Sequence, residues 1–145
     1  MAPMQKRAWW GLVIGLVLGI AFITVFFLMG GIETFDEDVN FRLIIDALMI
    51  AALVANLIIV NLPLLKPSMV DERDRRIIDT APRVQWLAVI FTLVAWTIGL
   101  TELYRDTGLV PSVYLFIVFM SVLIVSSIAQ SLGIIIGYWR MDRNG

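Results

Sequence analysis

Residues 9–29 read WWGLVIGLVLGIAFITVFFLM, an apolar run without a single charged side chain. A hydrocarbon core of about 30 Å is crossed by about 20 apolar residues in a helix, so this run is long enough to span a bilayer. Leu43 to Leu65, Val84 to Leu103 and Val113 to Tyr138 have similar length and character. The chain therefore reads as an all-α integral membrane domain, residues 1–145, with four transmembrane helices arranged as two hairpins. A hydrophobic share of 60% supports this, because soluble domains hold about 45–50%. Mean hydropathy is correspondingly high, at +0.91. The connecting segments, the longest being residues 66–83, are too short to bury a separate soluble core.

Lys6 and Arg7 precede the first run, as in a signal peptide. The run exceeds the apolar region of such a peptide, about 7–15 residues, and no small-x-small cleavage pattern follows it. It is expected to remain as a helix. With four alternating spans, Lys6, Arg7, Lys66, Arg73, Arg75, Arg76, Arg83, Arg140 and Arg143 all fall on one side. Only Arg42 and Arg105 fall on the other. The positive-inside rule then places both termini in the cytosol, which for a prokaryotic chain means the inner membrane. The outer loops carry Glu33, Asp36, Glu37 and Asp38. Trp9, Trp10, Trp86, Tyr104, Tyr138 and Trp139 sit near span ends, where amphipathic rings favour the headgroup layer.

The chain contains no cysteine and no histidine. Disulfides, thiolate catalysis, iron–sulfur ligation, zinc–cysteine sites and histidine-ligated haem are thereby excluded, and no cofactor is expected. A net charge of -1 argues against a nucleic-acid surface. No carboxylate, histidine or serine–lysine constellation of a membrane-embedded hydrolase is present, so no enzyme is expected.

The most structured polar stretch is Ser68 to Ala81. Ser68 and Asp71 occupy capping positions after Pro67, predicting a short helix. Asp71 with Arg75, Glu72 with Arg76 and Arg75 with Asp79 are spaced for i,i+4 ion pairs, each contributing about 0.2–0.5 kcal/mol. Val70, Ile77, Ile78 and Ala81 fall near one face, and Pro82 ends this helix or starts the next. Arg73, Arg75 and Arg76 suit anionic lipid or an acidic partner, and Asp71, Glu72 and Asp74 a basic one. Mixed signs favour protein contact over simple lipid attraction.

At Asp71, Glu72, Arg73, Ile77, Ala81 and Arg83 the chain resembles a group of uncharacterised prokaryotic membrane proteins, a domain of unknown function with a cytosolic Asp-Glu-Arg segment between helical hairpins. The resemblance spans roughly residues 71–138, and only the polar motif is specific. Pro82 departs from the family's pattern. The resemblance implies no activity; some such proteins look like partners of transcriptional regulators or of larger membrane complexes.

Polar residues at membrane depth are few. Asp46 and Glu102 lie near the outer ends of the second and third spans, with Arg42 and Arg105 at pairing distance in sequence. Together with Asn56 and Gln130 they are the candidates for an ion or substrate site. Thr92, Thr97 and Ser121 to Ser131 add hydroxyls. Ser126, Gln130, Gly133 and Gly137 share one face of the fourth helix. Gly11, Gly15 and Gly19 leave a flat groove on the first helix, suited to close packing on Ala51, Ala52 and Ala55 of the second or on another chain. The leading expectation is a non-enzymatic accessory or regulatory subunit that uses Asp71, Glu72, Arg73, Arg75 and Arg76 for contact. The alternative is a small oligomeric transporter or ion-coupled carrier using Asp46 and Glu102.

Overall fold

The computed structural model of the chain describes residues 3–28, 30–61 and 72–144. Five helices follow one another: α1 (Pro3–Leu28), α2 (Gly31–Glu37), α3 (Val39–Asn61), α4 (Glu72–Leu103) and α5 (Val113–Asn144). No strand occurs among the described residues.

Three of these helices are long and apolar enough to cross a membrane: Met4–Leu28, Asp79–Leu103 and Val113–Arg143. The sequence predicts four spans. The second of them, residues 43–65, begins inside α3 and runs on beyond Asn61 to positions outside the described residues. Large apolar side chains point outward all along the bundle, with Phe27 at 76% and Phe91 at 70% exposure. A contiguous apolar exterior of that kind suits lipid rather than water.

The central helix is α5, which packs against α1 and α4 most extensively and also meets α2 and α3. It runs antiparallel to both of its main neighbours. On α1, Gly15 meets Ile128 and Gly19 meets Ile124; on α4, Ala81 meets Gly133 and Ile77 meets Gly137. Hence α1 and α4 run parallel to each other on separate flanks of α5. The first glycine groove thus meets α5 and not Ala51, Ala52 and Ala55, the partner within the chain that the sequence offered beside another chain. The physical reason is fit: Ile128 and Ile124, one turn apart, fill the spaces left by Gly15 and Gly19, whereas alanine would leave lining atoms without partners.

The burial pattern of α1 agrees, since Met4, Ala8, Gly11, Gly15, Phe22 and Phe26 are buried at helical spacing while Val13, Val17 and Ile20 are exposed. Gly30 and Gly31 both adopt positive φ, at 111° and 70°, and reverse the chain into α2. A side chain at Gly30 would run into Thr34. The apolar pattern of the sequence does not signal the short α2. It inserts Phe35, 1% exposed, beside Phe41, 0% exposed, with ring centroids 6.1 Å apart. Phe26, Phe41, Phe35 and Phe116 continue this cluster, which ties the end of α1 to the starts of α3 and α5. Asp38 caps α3 by accepting the Asn40 N–H at 2.8 Å.

A correction concerns Pro82, which does not separate a short helix from the third span: α4 is continuous from Glu72 to Leu103 with Pro82 inside it. Proline removes one backbone donor and crowds the preceding turn. Here the ring is exposed while Ala81 beside it is buried on α5, and membrane helices tolerate proline where other groups satisfy the freed carbonyl. At the same end of the bundle α5 extends past its expected boundary, running beyond Tyr138 to Asn144.

A Cβ at Gly137 would lie 2.7 Å from Ile77 Cγ2, whereas one at Gly99 meets nothing within 4 Å. Gly137→Ala is therefore expected to destabilise the α4–α5 pair by about 1–3 kcal/mol. Gly99→Ala should be neutral or stabilising by up to about 1 kcal/mol. Unfolding midpoints of the two variants in the same detergent check this.

Candidate functional site

The seam between α4 and α5 gathers most of the chain's specific polar chemistry. Ile77, Ala81, Gln85 and Trp96 lie on the one stripe of α4 that is not exposed. Facing them on α5 are Gly137, Gly133, Ser126 and Ser121. Gln85 Nε2 donates to Ser126 Oγ at 2.6 Å, and Trp96 Nε1 donates to Ser121 Oγ at 2.7 Å. The Ser121 hydroxyl in turn donates to the Val118 carbonyl at 2.8 Å. Trp96, Tyr114 and Tyr104 close the far end through edge contacts, with centroids 6.5 Å and 5.4 Å apart. A hydrogen bond with Tyr114, followed by desolvation, holds the Tyr104 hydroxyl above the usual tyrosine range.

Ser126, Gly133 and Gly137 thus share the expected face, and that face is turned to α4. Gln130, on the same face, is half-buried. Two partners in the seam, Gln85 and Trp96, are not among the sequence candidates. A signal for them exists: Ile77, Ala81 and Gln85 repeat every four residues, and Trp96 lies three turns further along the same stripe. By type alone, each reads as an ordinary occupant of a span or its border. Thr92 and Thr97 donate within their own helix, to the Ala88 and Leu93 carbonyls at 2.8 Å each, a local arrangement common in apolar helices.

Where α4 and α5 approach the basic end they leave a groove of about 360 Å³ beside the glycine contacts. Ile77, Val84, Ile136 and Met141 line it with Gly133 and Gly137, together with the polar Thr80 and Arg140. Close to it lies the segment expected to meet a partner. Asp71 is outside the described residues. Glu72, Arg73 and Arg76 occupy the first turns of α4 as helical backbone, and their side chains lie outside the described part of the structure. Arg75 and Asp79 are both exposed and do not form the expected i,i+4 pair; between solvated side chains such pairs hold little energy.

The candidate ion or substrate residues are dispersed over three helices. Glu102 pairs with Arg105 at 3.6 Å at the end of α4, with both side chains mostly exposed. Asp46 is half-buried on α3. Arg42 donates to the Phe35 carbonyl at 3.3 Å and lies 5.6 Å over the Phe35 ring. Asn56 lies on α3, its side chain outside the described part of the structure. Among the described residues no three acidic side chains form a set that could hold a metal ion.

Comparison with family models, curated proteins and solved structures yields no match to this chain.

The two cross-helix hydrogen bonds give a direct test of the seam. A double-mutant cycle with Trp96→Phe and Ser121→Ala is expected to return a coupling of about 0.6–1.7 kcal/mol in favour of the native pair. Additive losses would show that the bond contributes nothing net.

Proposed function

We propose that this is a non-enzymatic, four-span membrane protein with both termini in the cytosol, a small accessory or regulatory subunit that contacts a protein partner through residues 68–83. The observation that carries this reading is the unbroken course of α4. Its membrane-spanning part starts at Asp79, but the helix itself starts at Glu72. About two turns, roughly 10 Å, therefore extend past the apolar part as a rigid continuation of it. A partner that grips this extension acts on the same body that packs against α5 at Ala81 and Gly133.

Electrostatics support the orientation. Because α1 and α4 are parallel and α5 opposes both, Lys6, Arg7, Arg75, Arg83, Arg140 and Arg143 belong to one end of the bundle. Asp38, Glu102 and Asp106 belong to the other. That is the asymmetry of the positive-inside rule. The extension and the first residue of the span after it carry Glu72, Arg73, Asp74, Arg75, Arg76 and Asp79. A balanced set of signs favours a complementary protein surface over a lipid headgroup layer.

Two measurements test the reading. A photo-crosslinking residue at Arg75 in native membranes should yield a discrete protein adduct, and the same residue at Phe91 should yield lipid adducts alone; loss of the Arg75 adduct, or its formation only with a second copy of this chain, contradicts the subunit assignment. In intact cells a lone cysteine at Asp106 should react with an impermeant maleimide and one at Arg75 only after lysis. The reverse pattern would invert the topology.

A further inference from the structure

We propose that the groove between α4 and α5 is a binding site for one anionic phospholipid, whose acyl chain lies along Val84 and Ile136 while its phosphate meets Arg140. The inference rests on the reading of this bundle as membrane-spanning and is independent of any protein partner.

Three features of the groove select this occupant. The first is its layering. Val84 and Ile136 lie about one and a half to two turns inside the apolar spans and Gly133 about three, Ile77 and Thr80 flank the start of the α4 span, and Arg140 lies toward the end of α5. A molecule seated there meets hydrocarbon side chains first and a guanidinium toward the end of α5, the same order as acyl chain and phosphate. The second is charge. Arg140 is exposed, and no ion pair joins it to a carboxylate among the described residues. Arg143 stands nearby over the Trp139 ring at 5.5 Å, adding cationic potential at headgroup level. Arginine suits a phosphate because its planar donors can bind two oxygens together.

The third feature is size. A volume of about 360 Å³ is at the lower end for small-molecule clefts, about 300–1,000 Å³. A flexible chain fits it. Gly133 and Gly137 shape the site by bringing α4 close to α5, so that a Cβ added to Gly133 would lie only 3.3 Å from the Ala81 Cα. The helices touch there, and the groove opens alongside the contact. Basic pockets between membrane helices on the cytosolic side are the recurrent setting for anionic headgroups.

The test uses the full chain in nanodiscs holding equal mole fractions of phosphatidylglycerol and phosphatidylcholine with identical acyl chains, released into native mass spectrometry. Phosphatidylglycerol is expected to be retained about five-fold over phosphatidylcholine, the effect of one arginine near an anionic surface. Arg140→Gln should bring the two to parity and Arg140→Lys should keep most of the preference. Val84→Trp, at a wall position that is 41% exposed, should reduce retention of both lipids with an unchanged thermal transition. Free glycerophosphoglycerol, the headgroup without chains, should not compete. Parity in the unsubstituted protein, indifference to Arg140→Gln, or full competition by the headgroup alone would each overturn the site. So would a photo-crosslinker at Ile136 that captures protein in place of lipid.

Discussion

The close approach of α5 to two helices at once is the constraint on which the rest of the structure depends. Between membrane helices there is no hydrophobic driving force, because lipid tails are as apolar as leucine; association rests on van der Waals contact and a few interhelical hydrogen bonds. Glycine supplies the contact here in two complementary ways. On α1, Gly15 and Gly19 are the holes and Ile128 and Ile124 of α5 the knobs. On α5, Gly133 and Gly137 are the holes, and Ala81 and Ile77 of α4 fill them. One helix is therefore recipient on one flank and donor on the other, which fixes the order α1, α5, α4 across the bundle. The Gln85–Ser126 and Trp96–Ser121 bonds then set the register of the second flank.

From that order the charge distribution follows. Parallel α1 and α4 bring their basic starts to one end, and the antiparallel α5 brings its basic finish to the same end. The aromatic cluster built by Phe26, Phe35, Phe41 and Phe116 closes the opposite end, where Phe35 and Phe41 are almost wholly buried. The bundle is thus packed tightly at its acidic end and held at its basic end by glycine contacts that leave a groove beside them. Both the proposed partner segment and the proposed lipid site belong to the basic end, on the two sides of the same helix boundary. Lipid in the groove would bear on the α4–α5 contact from which the charged extension projects.

Much of this is legible in the sequence. Apolar length alone identifies α1, α4 and α5 as long and apolar enough to cross a membrane, and the four-residue recurrence of glycines marks the surfaces that pack. Which helix fills which groove is not legible, because a glycine stripe is flat and accepts any helix with suitably spaced branched residues. Chain neighbours are the natural first choice where loops are short. That choice fails here because Gly30 and Gly31 turn the chain into α2, whose Phe35 takes up the space beside α3, and because isoleucine fits the glycine holes better than alanine. Pro82 misleads for a related reason. A proline signals a break by its missing donor, yet a helix anchored by Ala81 and Ile77 on one side of it and by Gln85 on the other keeps its course. The candidate ion site has no such support: Asp46 and Glu102 attract notice by charge, and charge at a span's outer end is equally well explained by its nearness to water.

Disulfide trapping tests most directly whether the glycine groove of α1 packs on α5 rather than on the alanines of its chain neighbour α3. The chain has no native cysteine, so every bridge formed reports an introduced pair. Gly15→Cys with Ile128→Cys should oxidise efficiently in the intact membrane, since a Cβ at Gly15 would lie 3.0 Å from an Ile128 side-chain carbon and a disulfide needs Cβ atoms about 3.5–4.5 Å apart. Gly15→Cys with Ala52→Cys should remain reduced under the same oxidant. A bridge in the second pair and none in the first would place α1 against α3 and contradict the helix order from which the charge distribution and the groove both follow.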